Sequence, residues 1–186
     1  MKKLLLIAVV IGSLTGCASV PPLNFSTPGV GVSQKKIDAQ LKSLTVSFAR
    51  PDDQKGDIVA GMETITPIWR DSLDEALDRM PIFKDNSANT VSLNVKVLAI
   101  DVPSIGMAMT TKAVARYEVI NRYNGDIIYT QDIESTGTVP ASYAFVGVVR
   151  ARESINRAVQ NNITQFLQAL ESIELSRPMF PSKVDK

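Results

Sequence analysis

Apolar and polar residues alternate in four stretches of the chain, which predicts four β-strands. These stretches cover residues 41–49, 90–102, 107–122 and 126–139. Each places its apolar side chains on one face and its polar side chains on the other, as in an antiparallel sheet covered on one side only. The residues expected on the buried faces are Leu44, Val46, Phe48, Val91, Leu93, Val95, Val97, Met109, Ala113, Ala115, Tyr117, Val119, Ile127, Tyr129 and Ile133.

Two other stretches repeat their apolar residues every three or four positions, as amphipathic α-helices do. The first is expected to begin with Thr66 as its cap and Pro67 as its first helical residue, and to end before Pro81. The second covers roughly residues 148–174, with Arg150 on its water-facing side. The order β–α–β–β–β–α predicts an α+β fold, in which two helices pack on one face of an antiparallel sheet of about four strands.

Two apolar connections are predicted to meet at one end of this sheet. Asn124 and Gly125 indicate a type I′ turn between the last two strands, so that hairpin lies at the opposite end. Loops are normally polar, and an exposed apolar patch marks a protein or membrane contact. Alternatively, the two connections fold over each other and cap the core, and the sequence leaves both interpretations open. The candidate residues are Ile105, Met107, Met109, Tyr143, Phe145 and Val146.

The N-terminal residues have the features of a secretory signal. Lys2 and Lys3 precede an apolar run that ends at Ile11, far shorter than the roughly 20 residues of a membrane-spanning helix. The run is followed by Leu14, Thr15, Gly16 and Cys17, which resemble the lipobox of bacterial lipoproteins. The resemblance implies that the Cys17 sulfur receives a diacylglyceryl group, that the chain is cut before Cys17, and that the new amine is acylated. The alternative is an ordinary signal peptide with an incidental cysteine.

The same resemblance implies a location for the mature chain. Ala18, rather than an aspartate, follows Cys17, which implies a lipid anchor in the outer membrane with the domain facing the periplasm. The predicted organisation is a signal peptide (1–16), a lipidated N-terminus with a flexible tether (17–40), a periplasmic domain (41–176) and a C-terminal tail (177–186). The tether is predicted from its proline, glycine and serine content.

The amino-acid composition argues against several kinds of functional site. The chain has no histidine, which removes the commonest general base and histidine-ligated metal sites. A formal net charge of +1 without a basic run leaves no electrostatic footprint for nucleic acid. We therefore expect a protein that is not an enzyme and that uses no cofactor, no metal and no nucleic acid.

The remaining candidate chemistry has simpler interpretations. Asp52 and Asp53 lack the spacing of a calcium loop and indicate a turn. Ser33 and Lys36 have a Ser-x-x-Lys spacing, but they lie in the predicted tether. Four acidic residues are interpreted as the solvated face of the first helix rather than as a catalytic pair; these are Asp71, Asp74, Glu75 and Asp78.

In layout the chain resembles small Gram-negative outer-membrane lipoproteins of unknown function, such as the YajG type. It is also similar to the lipoprotein plug of the lipopolysaccharide translocon and to auxiliary lipoproteins of lipid-trafficking ABC systems. Beside the lipobox, this resemblance is carried by three stretches: VSLNVKV, ARYEVINRYNGDIIY and INRAVQNNITQFLQAL. It implies no catalytic residue.

Three hypotheses for function follow. The first is a non-catalytic binding or assembly module of a cell-envelope complex, with an envelope protein as partner. The second is a lipid or glycolipid carrier, or an auxiliary subunit of lipid transport, which requires a cavity behind Leu93, Val95, Tyr117 and Phe166. The third is an envelope hydrolase or acyltransferase. An exposed edge strand also allows pairing between copies of the chain, so a homo-oligomer is compatible with the sequence.

Overall fold

A computed structural model describes residues 20–58 and 61–172. The chain forms the predicted α+β fold in the predicted order. Short 3₁₀ helices lie at Pro51–Asp53 and Ala141–Tyr143. The main elements are β1 (Gln40–Phe48), α1 (Ile65–Arg79), β2 (Thr90–Asp101), β3 (Met109–Asn121), β4 (Ile127–Val139) and α2 (Gly147–Ser172). The lipobox, Cys17 and the predicted tail lie outside the described residues.

The four strands form one sheet in the order β1-β2-β3-β4. The pairs β2–β3 and β3–β4 are antiparallel, as expected. β1 instead pairs with β2 in parallel, with Leu44 opposite Leu93 and Val46 opposite Val95. The helix α1 carries the chain back along the sheet before β2 begins, and such a crossover connection joins parallel strands. The sheet therefore has two antiparallel strand pairs and one parallel pair.

Two local expectations need correction. Helix α1 begins at Ile65, and the flanking Thr64 makes no side-chain capping hydrogen bond, so the predicted start, with Thr66 as cap and Pro67 as first helical residue, lies two residues too late. The β3–β4 hairpin is not a type I′ turn, because no described residue other than glycine has a positive φ. Within this hairpin only Gly125 has a positive φ (79°), and its N–H donates to the Asn121 carbonyl at 2.9 Å. The connection is thus a wider loop with one left-handed residue.

Both helices cover the same face of the sheet. α1 packs against β1, and α2 packs against β3 and β4. Trp69 of α1, Leu93 of β2 and Phe166 of α2 belong to one continuous apolar core and have no exposed surface. The rings of Tyr117 and Phe166 stack with their centroids 4.0 Å apart and their planes 8° apart. This close stacking fills the space between α2 and the middle of the sheet.

α2 approaches β4 closely, and hydrogen bonds between buried side chains join the helix to the sheet. A Cβ atom on Gly137 would overlap the backbone of Ser154 and Ala158 in α2. The Asn162 side chain accepts a hydrogen bond from Tyr117 Oη at 2.9 Å and donates to the Ile133 carbonyl at 2.9 Å. The sequence analysis did not identify these polar contacts.

The segment predicted as a flexible tether packs on the domain over most of its described length, which corrects that prediction. Phe25 is fully buried and meets Trp69 edge to face, with ring centroids 6.3 Å apart. Further along, the Ile37 N–H donates to the Ile82 carbonyl at 2.8 Å. Burial of Phe25 removes a large apolar surface from water, which outweighs the segment's proline and glycine content. The domain therefore begins near Leu23, and not at residue 41.

The opposite face of the sheet carries mainly polar and charged side chains. Arg116 holds Asp132 through two hydrogen bonds, of 2.6 and 2.9 Å, and Lys55 lies 2.6 Å from the same carboxylate. The guanidinium of Arg116 and the Lys55 ammonium lower the pKa of Asp132 to about 2, against the opposing effect of partial burial. A loop after β1 covers a small apolar cluster on this face, formed by Ala49, Leu98, Ala99 and Val114.

Candidate interaction surface

The topology brings the two apolar connections together, as predicted. β2 and β3 run antiparallel, and so do β3 and β4, so the connection at 102–108 and the one at 140–146 lie at the same end of the sheet. The hairpin at 122–126 lies at the opposite end. Helix α2 starts directly after the second connection, at Gly147.

Most of the predicted candidate residues are exposed at this end. Ile105 is 91% exposed, Met107 81% and Phe145 completely. These side chains therefore do not cap the core, and the interpretation as a contact surface stays a prediction. Of the nine large apolar or aromatic side chains exposed within the described ranges, six lie here. We call these six the loop patch: Ile105, Met107, Tyr143, Phe145, Val146 and Val148.

Met109 does not belong to the exposed set, which corrects the sequence-based assignment. It is the first residue of β3, pairs with Val139 in the sheet and is only 5% exposed. Its side chain lies near the start of α2, where a Cβ atom on Gly147 would be 3.7 Å from Met109 Cε. Val148, which sequence analysis did not include, is half exposed on the first turn of α2 and extends the patch.

Arg150 holds the two connections together. Its Nη1 donates to the carbonyls of Ala144 and Phe145 at 2.6 and 2.9 Å, and its Nη2 donates to the Gly106 carbonyl at 3.1 Å. The residue is buried, so the prediction that it faces water is wrong. No carboxylate pairs with it among the described residues, and backbone carbonyl dipoles stabilise its charge instead.

Charge is absent from the sequence around the patch. Residues 102–111 and 135–149 contain no Asp, Glu, Lys, Arg or His. The position of Arg150, as the first charged residue after a long charge-free stretch, is a signal that sequence reasoning could have used to find it. At the edge of the patch, the Arg157 guanidinium lies over the Tyr143 ring, 5.5 Å from its centroid, in cation–π geometry.

Other candidate sites do not assemble catalytic chemistry. Ser33 is buried and its Oγ donates to the Lys35 carbonyl, whereas the Lys36 ammonium donates to the Pro81 carbonyl, so the two side chains bond elsewhere. Asp53 pairs with Arg50 at 3.3 Å in the turn that the sequence predicts. Over the described ranges, no three acidic or cysteine side chains cluster in a way that could hold a metal ion. The four acidic residues of α1 are exposed: Asp71, Asp74, Glu75 and Asp78.

The cavity that a lipid carrier requires is not found where it was expected. Leu93, Tyr117 and Phe166 are fully buried and Val95 nearly so, and Tyr117 stacks directly on Phe166. Two surface grooves, of about 510 and 500 Å³, are lined by other residues. The first lies between the segment 26–32 and α2, and the second lies between β1 and α1.

Comparison with known proteins gives similarity of fold only. No model of a protein family matches the sequence, and no curated protein sequence matches it. A Xanthomonas campestris protein of the DUF330 family is 13% identical, with a TM-score of 0.47 over 77% of this chain and 94% of that one. A minor lipoprotein from Acinetobacter baumannii is 13% identical, with a TM-score of 0.41 over 74% of this chain and 93% of that one.

An assembled bacterial protein is also similar. The PelC dodecamer from Paraburkholderia phytofirmans is 11% identical, with a TM-score of 0.36 over 69% of this chain and 90% of that one. Matches of this size describe a similar course of the backbone and carry no argument about activity or partners. Within the described ranges, no helix combines the length and the apolar character that crossing a bilayer requires.

Proposed function

We propose that this chain is an outer-membrane lipoprotein that faces the periplasm, is anchored through Cys17, and acts without catalysis as a binding and assembly module of a cell-envelope complex. The loop patch is the observation that carries this proposal, and we assign it as the contact surface. The membrane location rests on the resemblance of residues 14–17 to a lipobox and on Ala18 after the cysteine.

Exposure of apolar surface to water costs free energy. Contiguous apolar groups on a protein surface mark sites of protein or membrane contact. Here they lie on connections that Arg150 ties together through three backbone carbonyls. A surface held in this way loses little conformational entropy on binding, which favours a binding role over an accidental loop conformation.

The other hypotheses have less support. A lipid carrier needs space between sheet and helices, and the stacked rings of Tyr117 and Phe166 occupy the expected position. An envelope hydrolase needs a nucleophile beside a base, and Ser33 and Lys36 bond to separate carbonyls. No specific observation favours either hypothesis.

Substitution of Cys17 tests the anchor. Cys17→Ser removes the thiolate that would accept the diacylglyceryl group, and a hydroxyl is a much weaker nucleophile. We expect the variant to incorporate no labelled palmitate and to disappear from outer-membrane fractions, with an unchanged circular dichroism spectrum of the domain. Unaltered palmitate incorporation and fractionation would show that the lipoprotein assignment is wrong.

Photo-crosslinking in intact cells tests the contact surface. A photoreactive amino acid at Phe145 should capture an envelope component, identified by mass spectrometry as a protein or a lipid. The matched control is Tyr123, which is 96% exposed in the hairpin at the opposite end of the sheet. Equal capture from both positions, or none from Phe145, would contradict the assignment of the loop patch.

A further inference from the structure

The N-terminal segment is attached to the domain close to the proposed lipid anchor. Asn156 of α2 donates from Nδ2 to the Pro22 carbonyl at 3.3 Å, and its Oδ1 accepts from the Asn24 N–H at 3.0 Å. Five residue steps separate Cys17 from Pro22. Even fully extended, five steps span no more than about 18 Å. The acyl chains on Cys17 therefore lie within one short span of Asn156.

The segment also runs in a defined direction along α2. Pro22 and Asn24 lie at Asn156, and the Asn24 carbonyl accepts from Gln160 Nε2 at 3.0 Å. From Asn24 back to Pro22 the chain thus runs toward the start of the helix. Gly147 is nine residues before Asn156, about 14 Å along the helix axis. Consequently the loop patch, which adjoins Gly147, lies beyond the end of α2 that is nearer to the attachment point of the N-terminal segment.

The chemistry of this end suits a lipid surface. Ile105, Met107 and Phe145 project almost completely from the protein, and the sequence on both sides of them carries no charge. Two cations lie near the patch. Arg150 points inward to carbonyl oxygens and would not enter the membrane, and Arg157 lies at the edge of the patch, over the Tyr143 ring. Charged groups make insertion costly, whereas apolar side chains at an interface sink about 5–10 Å into the boundary between headgroups and acyl chains.

We propose that the loop patch inserts into the same lipid leaflet that holds the acyl chains of Cys17, and so forms a second attachment that orients the domain on the membrane. This inference rests on the proposed lipoprotein function and identifies lipid as the ligand of the loop patch. The anchor keeps the patch within about 30 Å of the leaflet, so the effective concentration of lipid at the patch is high.

The test uses the full, lipidated chain. Cys17 is the only cysteine, and its sulfur is blocked once it carries lipid, so Phe145→Cys introduces a single free thiol. A polarity-sensitive fluorophore on this thiol is measured in vesicles of phosphatidylethanolamine and phosphatidylglycerol. We expect a blue shift of its emission and loss of intensity when the acyl chains are brominated. The same label on Tyr123→Cys should show neither effect, because Tyr123 lies at the opposite end.

A second variant and three further outcomes decide the proposal. Ile105→Glu with Met107→Glu should abolish the blue shift at position 145 without changing the circular dichroism spectrum, since both side chains are exposed. Absence of the shift, or an equal shift at position 123, would overturn insertion. A protein captured from Phe145 in cells, without quenching in vesicles, would overturn insertion and leave the binding module standing. Thiol labelling of the parent chain at Cys17 would overturn the lipid anchor itself.

Discussion

The interface between α2 and the sheet and the loop patch are formed by neighbouring parts of the same chain but differ in almost every physical respect. At Gly137 the helix lies so close to β4 that a single methyl group would not fit. Eight residues later, Phe145 is completely exposed. Both stretches are small or apolar and uncharged. The difference is that α2 covers β4 and no described element covers the second connection.

Polar groups are paired differently in the two regions. Beneath α2, Asn162 satisfies both the Tyr117 hydroxyl and the Ile133 carbonyl, and Thr111 Oγ1 lies 2.6 Å from Ser154 Oγ. Burial raises the pKa of Tyr117, which keeps its hydroxyl protonated as a donor. At the loop patch, Arg150 bonds only backbone carbonyls and leaves the side chains free. Substitutions beneath α2 should therefore lower the free energy of unfolding, whereas substitutions in the loop patch should change it little.

The largest effect is expected at Gly137. Gly137→Ala places a methyl group against backbone atoms of Ser154 and Ala158, so α2 itself must shift. Overpacking of this kind costs about 3 kcal/mol of unfolding free energy, or more, measurable by urea denaturation. Gly29→Ala is the matched control, because a methyl group there meets no atom within 4 Å. Equal stability of the two variants would contradict the close approach of helix and strand.

A smaller loss is expected at Asn162. Asn162→Ala leaves the Tyr117 hydroxyl and the Ile133 carbonyl buried without this partner, which should cost about 2–4 kcal/mol of unfolding free energy. The adjacent Asn161 is exposed, although it also donates to a carbonyl of β4. Asn161→Ala should therefore cost much less in the same denaturation experiment. A reversed order of the two variants would exclude a stabilising role for the buried amide.

Loss of Arg150 should loosen the loop patch more than it destabilises the fold. Arg150→Met removes three hydrogen bonds to carbonyls that water can reach once the loops open, so we expect a cost of about 1–2 kcal/mol. Amide hydrogen exchange should accelerate in residues 102–108 and 140–146 and stay unchanged near Asn162. Unchanged exchange in both connections would show that Arg150 does not hold them. Arg152→Met, at a half-buried neighbour, serves as the control.

Acid should weaken the polar face of the sheet by a modest amount. The pKa of Asp132 is lowered to about 2, chiefly by the Arg116 guanidinium. Because this pKa lies below its ordinary value, ionised Asp132 stabilises the fold above about pH 4. That contribution is lost as the pH falls toward about 2. Asp132→Asn should therefore be less stable than the parent at neutral pH, and the difference should shrink on acidification. A constant difference in urea denaturation across this range would contradict the pairing.

The smallest change in stability is expected in the loop patch. Phe145→Ser alters a completely exposed side chain, so the unfolding free energy should change by no more than about 0.5 kcal/mol. Binding, measured by crosslinking or vesicle insertion, should nevertheless fall. Phe166→Ser, in the core beneath α2, is the contrasting variant and should unfold the domain. A large loss of stability from Phe145→Ser would show that the patch packs on the protein itself.

Local periodicity was sufficient to predict the elements. Side chains alternate along a strand and repeat every 3.6 residues along a helix, so a buried face leaves its pattern in the sequence wherever it is long enough. The faces of β2 and β3 are confirmed in full, from Val91 to Val97 and from Met109 to Val119. The joint position of the two apolar connections also followed from the sequence, because strand direction alone determines it.

Contacts between residues far apart in the chain decided the rest. Phe25 is buried in a core that includes Trp69 of α1, and the Asn24 N–H donates to Asn156 across 132 positions. Contacts with these distant partners leave no periodic pattern around residue 25. The segment was therefore predicted as a tether from its composition alone. The same holds for Arg150. The helical period predicts that it faces water, but hydrogen bonds to carbonyls of the two loops keep it buried. Sequence by itself determined which residues form strands and helices, because that depends on near neighbours. The tertiary structure alone decided which loops are covered, because burial depends on what packs against them.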